Sequence, residues 1–388
     1  MILPDPGYGS DLWPVWHAVL RDYWLGDGRR ARARLGFLSP PEGRGRVIWI
    51  RAGAGATSLR LGVELLGAIR ERRRDVRLVL TFEQDDPDAL RQWLRPWPKV
   101  GLGYGPCDRQ RVNQRILNRF QPCGILCVET AWPRNLLQQA GVPIVAVGGA
   151  PSAASLRHAP RSLAQLVQYW PTAGAVVDTG SGLCQTLAPA DPHARWVEAQ
   201  ADVVLRALAA SADCRLWWWH GAQSAWADWL AAWLDSPLSR QDILLCSFSD
   251  GSVPTDTMQN IQAVSQWTRV ALPAGALLHL DDPRWYAAAA SAVEAIHLAA
   301  PSRTLYWQAM ASGAPLSLAW DGPPNAPEIN AACPQFTDPH TVLTEWLRLR
   351  AEATLRRQRG DVLRRKFWQE RRQVDTNLEQ LLSRVWTW

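Results

Sequence analysis

The residues of this chain best placed for chemistry lie where an arginine-rich run meets a strand and a small-residue loop. From Arg32 to Arg70 the sequence reads RARLGFLSPPEGRGRVIWIRAGAGATSLRLGVELLGAIR. The apolar stretch 47–50 predicts a strand, the loop 52–57 is built of small residues, and a helical pattern follows. Such a loop brings backbone N–H groups and a helix N-terminus close to a polar or anionic ligand. The same pattern also fits a tight turn that only packs, and the sequence leaves both readings open. Carboxylates that could take a proton are Glu64, Glu83, Asp85, Asp86 and Glu129, of which Glu83, Asp85 and Asp86 read as a solvated acidic loop. His220 ends an apolar run, where a histidine is either a core-edge residue or a ligand contact. Ser302 and Thr304 stand at a predicted helix start, where they cap the helix or help its N–H groups hold a phosphate.

These residues need elements to position them. Strands are predicted over 47–50, 76–80, 124–128 and 143–147, with helices over 59–73, 87–94 and 108–120 between them. Strand alternating with helix argues for a parallel sheet covered on both faces. The pattern loosens near Gly180, Gly182, Pro189 and Pro192, which sets the expected domains at 1–190 and 191–388. In the second half a helix over 199–210 precedes strands at 214–219, 243–247 and 276–280, and the tail from His340 reads as helix interrupted near Gly360.

Composition narrows the class. A chain of 388 residues, 47% hydrophobic and 20% charged, is long enough for two domains with their own cores and too apolar to be disordered throughout. It contains no apolar run of membrane-spanning length, and its first residues do not read as a signal peptide. The seven cysteines are scattered; Cys123 and Cys127 are four apart without a second pair, so buried thiols in a reducing compartment are expected and no metal site. The net charge of +6 is carried almost wholly by arginine, with Lys99 and Lys366 the only lysines. The arginines are dispersed and no nucleic-acid-binding signature accompanies them. The segment LWPVWHAVLRDYWL at 12–25 sets aromatic residues at helical spacing just before Arg29, Arg30, Arg32 and Arg34. That arrangement suits an interfacial anchor on anionic lipid, or a helix packed on its own domain with its arginines solvated.

The nine residues WIRAGAGAT at 49–57, following RLGF at 34–37, resemble the N-terminal domain of bacterial Kdo (3-deoxy-D-manno-octulosonic-acid) transferases, which carry W-I-H-A-x-S-x-G-E there. WPRNLL at 132–137 and GVPI at 141–144, continuing through Ser152 and Ser155, resemble the family's W-P-N-L and G-I-P segments and its N-A-R-L-S run. Order and spacing agree over roughly residues 29 to 160.

The resemblance implies an α/β, GT-B-like fold: two Rossmann-like domains with parallel sheets facing a cleft and a C-terminal helix closing the structure. It implies a glycosyltransferase with no cofactor. The donor would be a nucleotide sugar of the CMP-Kdo type and the acceptor an anionic, lipid A-like glycolipid. The protein would sit in the cytoplasm, peripheral on the inner face of the membrane, with no nucleic-acid partner. The family's base, the Glu closing the loop, falls on Thr57, so the catalytic role passes to Glu129, in a segment where the family has E-T-E. Arg51 replaces the family's His and, with Thr57 and Ser58, forms the implied acceptor side. The family's N-A-R-L-S arginine falls on Ala150. On the donor side, His220 is kept, Ser247 falls in the basic phosphate-binding turn, Ser302 and Thr304 fall in the family's G-G-H-N-x-L-E-P segment, and Gln308 replaces the ribose-binding Glu of that segment. With so many signature residues replaced, the alternative is a GT-B protein that has lost catalysis and acts as a binding or scaffold module.

Overall fold

A computed structural model of the chain describes residues 8–39, 41–54, 56–97, 99–130, 133–147, 166–169, 184–186, 191, 194–195, 197, 213–249, 261–266, 272–320 and 332–388; at 56, 57, 89, 166–169, 184–186 and 284 it describes the backbone alone. The expected helix over 199–210 and the positions Trp132, Ala150, Ser152, Ser155, Asp250 and Gly251 lie outside the described residues. The chain divides into two compact units, Met1–Pro192 with Gln373–Trp388, and His193–Arg372. The last residues of the chain, 373–388, thus group with the first unit, where the sequence had assigned them to the second domain.

The first unit runs α1 (Leu12–Trp24), α2 (Gly28–Arg34), β1 (Val47–Ala52), α3 (Ala56–Arg72), β2 (Arg77–Phe82), α4 (Pro87–Trp93), β3 (Gly101–Tyr104), α5 (Gln110–Phe120), β4 (Pro122–Val128), α6 (Arg134–Gln139), β5 (Ile144–Val147), β6 (Leu166–Tyr169) and β7 (Cys184–Thr186). Its strands lie in the order β3-β2-β1-β4-β5-β6-β7 and every neighbouring pair is parallel. β1 is buried along its whole length, as a central parallel strand covered on both faces must be, which is why it reads as a continuous apolar run. Trp49 meets Phe120 edge to face and donates its indole N–H to Thr81 at 2.9 Å, so the ring is buried without orphaning its polar atom.

α1 buries Val15, Ala18, Val19 and Asp22 and turns Leu12, Trp13, Trp16, Leu20, Tyr23 and Trp24 outward. Two of the four arginines expected at an anchor are not available to one. Arg34 is fully buried and paired with the buried Asp22 at 2.6 Å. Arg30 donates to the Glu83 carbonyl at 3.0 Å and lies 5.2 Å from the Tyr104 ring centre. A buried carboxylate needs these cations as its counter-charge. Arg29 and Arg32 stay at the surface, lining a cavity of about 520 Å³.

The second unit contains β8 (Leu216–Gly221), α7 (Trp226–Asp235), β9 (Ile243–Phe248), β10 (Ile261–Ala263), β11 (Leu277–His279), α8 (Tyr286–Ala292), β12 (Ala295–Leu298), α9 (Arg303–Ser312), β13 (Leu316–Leu318), α10 (Pro339–Ala351) and the long α11 (Ala353–Trp386), whose end belongs to the first unit. Strand order is β10-β11-β9-β8-β12-β13, again parallel throughout. Successive side chains of β8 alternate between its faces. Trp217 and Trp219 join Trp226, Trp229, Trp233 and Trp346 in one core layer, while Trp218 packs on the other side. Much of the unusual tryptophan content is therefore core.

The tail breaks at Glu352, the C-cap of α10, and not near Gly360 as its sequence suggests. Gly360 is helical because α11 passes tightly over the turn that ends α9: a Cβ there would stand 2.1 Å from the Gly313 carbonyl oxygen. Among the described residues no helix is long and apolar enough to cross a membrane.

Candidate functional site

In the first sheet the chain leaves β1 toward β2 on one side and returns as β4 on the other, so the loops after β1 and β4 diverge at the carboxyl edge. Open parallel sheets bind ligands at such a point. The two loops are clamped together here. Gly53 N–H donates to the Val128 carbonyl at 2.9 Å, and a Cβ on Gly53 would stand 2.3 Å from the Glu129 carbonyl oxygen. Glu129 adopts a left-handed backbone, φ 48°, a conformation that costs a side-chain-bearing residue energy and that persists only where its surroundings enforce it. Ser58, in the first turn of α3, donates its hydroxyl to Glu129 Oε2 at 2.8 Å. A serine so placed orients a carboxylate as an acceptor of protons.

Of the residues expected on this side, the structure brings Ser58 and Glu129 together. Thr57 lies one residue before Ser58 on the α3 backbone, and its side chain is outside the description. Arg51, on β1 between Thr81 and Cys127, is 5% exposed; its Nη2 donates to the Pro106 carbonyl at 3.3 Å and its guanidinium lies 5.3 Å from the Trp49 ring centre. Glu83, expected in a solvated acidic loop, is buried, whereas Asp85 and Asp86 are exposed.

Sequence reasoning missed Asp108. Its carboxylate accepts the Asn135 and Leu136 backbone N–H groups at 3.0 Å each and the Asn113 amide at 2.8 Å, so it holds the start of α6 beside the same edge. No local pattern marks it, because its partners are 5 to 28 residues away.

In the second sheet the corresponding divergence lies between β8 and β12. The His220 carbonyl accepts the Ala299 N–H at 2.7 Å, tying the end of β8 to the loop that leads into α9. His220 is buried and its Nδ1 lies 2.9 Å from Ser247 Oγ, which also accepts the Trp218 indole N–H at 2.9 Å. Burial pushes the His220 pKa down to about 4, so the ring is neutral near neutral pH. Ser302 caps α9 by accepting the Leu305 N–H at 3.4 Å, and Thr304 is exposed in its first turn.

Two donor-side expectations need correction. Ser247 is fully buried within β9, its hydroxyl engaged by Trp218 and His220, so it supports His220 and does not face a ligand. Gln308 is likewise buried, on the core face of α9. Both fall inside regular elements, where burial decides which atoms are free. Among the described residues no group of three or more His, Cys, Asp or Glu is arranged to hold a metal ion.

Two parallel α/β units, each with its polar residues at the carboxyl edge where the strand order diverges, define an α/β, GT-B-like fold. Residues 29–175 match the family model for 3-deoxy-D-manno-octulosonic-acid transferase (kdotransferase). No protein of curated function matches the chain by sequence. Among solved structures, the chain is similar to the glycotransferase of kitacinnamycin (TM-score 0.54, 12% identity, 88% of this chain and 99% of that one). It is also similar to the glycosyltransferase SnogD from Streptomyces nogalater (0.51, 14%, 87% and 99%). A third is UGT2 of Phytolacca americana, solved with UDP-2fluoro-glucose and pterostilbene (0.52, 11%, 88% and 100%). At such identities the likeness is one of fold.

Proposed function

We propose that the chain is a Kdo-transferase-type glycosyltransferase that moves a sugar from a nucleotide sugar, a CMP-sugar of the Kdo type, to the hydroxyl of a lipid A-like acceptor. The observation that carries this reading is the Ser58–Glu129 pair at 2.8 Å, held on a left-handed backbone at the β1/β4 divergence. Glu129 takes the proton of the acceptor hydroxyl, and Ser58 fixes the carboxylate that receives it. On the donor side, the capped N-terminus of α9 offers N–H groups to the leaving phosphate, with Ser302 and Thr304 at its start. His220, neutral and braced by Ser247, acts as a hydrogen-bonding group beside it. Glu129→Gln is the test: it keeps the shape and removes the base. Transferase turnover with CMP-Kdo and a lipid A precursor should fall by roughly 10²–10⁴ in that variant. Turnover equal to wild type in Glu129→Gln refutes the assignment.

Working at a lipid surface is part of the proposal. The outward face of α1 supports it, with Trp13 83% and Trp24 89% exposed, as does its nearness in sequence to the surface residues Arg29 and Arg32. Co-sedimentation with vesicles containing anionic lipid should weaken in Trp13→Ala with Trp24→Ala, and again in Arg29→Ser with Arg32→Ser. Undiminished binding by both variants removes the membrane element.

One observation favours the second reading, a GT-B protein without catalysis. Ser247 and Gln308, two positions where the family resemblance places donor contacts, are buried in the second unit's core. A nucleotide-independent melting temperature across CMP, UDP, GDP and ADP and their sugars supports that reading, since a ligand at about 100 times its Kd adds roughly 2.7 kcal/mol.

A further inference from the structure

A serine hydroxyl has one proton to donate and two lone pairs with which to accept. Ser247 stands opposite His220 on the neighbouring strand. It is fully buried, so protein groups and not bulk water must complete its bonding. The Trp218 indole N–H reaches its Oγ at 2.9 Å. An indole N–H donates and never accepts, so one lone pair is taken. The Tyr286 ring packs on Trp218 with ring centres 5.3 Å apart, and its phenol is a further partner of the Ser247 hydroxyl. A phenol is a better donor than an alcohol, and it fills the second lone pair. The Ser247 proton is left for the third partner, His220 Nδ1, at 2.9 Å. Nδ1 therefore presents a lone pair, and a neutral imidazole with a bare Nδ1 carries its proton on Nε2. Among the described residues Nε2 has no hydrogen-bond partner. The same sheet holds a comparison. His297 faces Ser317 across β12 and β13, with Nδ1 3.0 Å from Oγ. Among the described residues no indole N–H reaches that hydroxyl, so nothing dictates the direction of that bond.

We propose that Trp218 and Ser247 are positioning residues that hold His220 as its Nε2–H tautomer, so that a ligand at the carboxyl edge of the second sheet meets a neutral hydrogen-bond donor and not a base. Only the identity of the ligand atom, an oxygen of the nucleotide phosphate, rests on the glycosyltransferase reading. The tautomer itself is a property of the free protein and requires no reaction.

The test is nitrogen NMR of the full chain carrying nitrogen-15 in its histidine rings, near neutral pH. Loss of signals in His220→Gln identifies those of His220. Wild type should show Nδ1 unprotonated and Nε2 protonated, with no Nδ1–H form. In Ser247→Ala the ring loses the proton that Nδ1 accepts, and the Nδ1–H form should appear. Trp218→Phe frees the hydroxyl to turn and should admit a smaller share of that form. Ser247→Thr keeps a hydroxyl and should restore the wild-type spectrum. The His297 signals should stay in place in all three variants, which a general loosening of the unit would not allow. A wild-type His220 protonated on Nδ1, or on both nitrogens, refutes the assignment, and so does a Ser247→Ala spectrum identical to wild type. Should Ser247→Ala not fold, an unchanged spectrum in Trp218→Phe refutes it instead. Adding CMP, but not cytidine, should shift the Nε2 resonance, and an Nε2 signal unmoved by CMP overturns the phosphate contact. Turnover in Glu129→Gln separates the two claims, because it reports on the base of the glycosyltransferase reading and leaves the tautomer of His220 untouched.

Discussion

The carboxyl edges of the two sheets are built from the same topology and opposite electrostatics. In the first unit the edge holds Arg51, Asp108 and Glu129, with an unmatched guanidinium N–H and a glutamate on a left-handed backbone. In the second unit the edge holds His220, Ser247 and Trp218, a chain of neutral groups 2.9 Å apart, resting on stacked and edge-on tryptophans. A deeply buried charge of this unit, Asp242, lies elsewhere and is matched: it accepts from the Trp217 indole, the Arg215 N–H and the Arg350 guanidinium. One edge carries a buried charge and a left-handed backbone; the other is built of neutral groups hydrogen-bonded to one another. A parallel sheet fixes where a ligand meets the chain, and the residues at the strand ends fix what that place can do.

The largest effect that would break this contrast concerns Asp242. Asp242→Ala leaves Arg350 and the Trp217 N–H without their acceptor, and the second unit should lose about 3–5 kcal/mol in denaturant titration. A loss under 1 kcal/mol means that the network does not hold that unit together.

Acid is the next lever. Burial lowers the pKa of His220 to about 4 and that of His297 to about 3, below the ordinary histidine value near 6.5. The folded state therefore binds fewer protons than the unfolded one. Stability from these two rings is complete above about pH 6.5 and is lost as pH falls below it toward 4, at up to about 1.4 kcal/mol per pH unit for each. Unfolding free energy measured from pH 7 to 4.5 should fall less steeply in His220→Gln with His297→Gln than in wild type. Identical slopes mean that neither histidine is held neutral.

The smallest expected effect sharpens the contrast from the other side. Glu129→Gly relieves the left-handed backbone at φ 48°, and it also removes the partner of Ser58. The first term is worth about 1 kcal/mol in favour of the variant and the second about 1 kcal/mol against it. Glu129→Ala keeps the strain and loses the same hydrogen bond, so the glycine variant should be the more stable of the two by about 1 kcal/mol. Equal stability indicates that the backbone there is unstrained.

Much of the first unit was legible because its information is local. Apolar runs bounded by small residues announce β1 and β4, and the loop after β1 carries its family likeness in nine consecutive residues. Ser58 and Glu129 were both named as candidates, but their hydrogen bond spans 71 positions and no spacing rule reaches that far. On the donor side the same reasoning picked the right strands and misjudged exposure: Ser247 and Gln308 look available in sequence and are core in the fold. Gly360 misled in the opposite way, since a glycine that reads as a helix break is there to let α11 pass over the Gly313 carbonyl.

The sequence by itself determined the period of the described elements, the parallel α/β class and the family likeness of residues 29–175, because all three are written in short-range patterns of size and polarity. Only the tertiary structure decided which charges are matched. Arg34 and Arg51 are both arginines next to small residues in a basic stretch. One is buried in an ion pair with Asp22 at 2.6 Å; the other, among the described residues, is buried with a backbone carbonyl as its hydrogen-bond acceptor. The energy of a charge depends on its distance to other charges and to water, and those distances are set by strands and helices far apart in the chain.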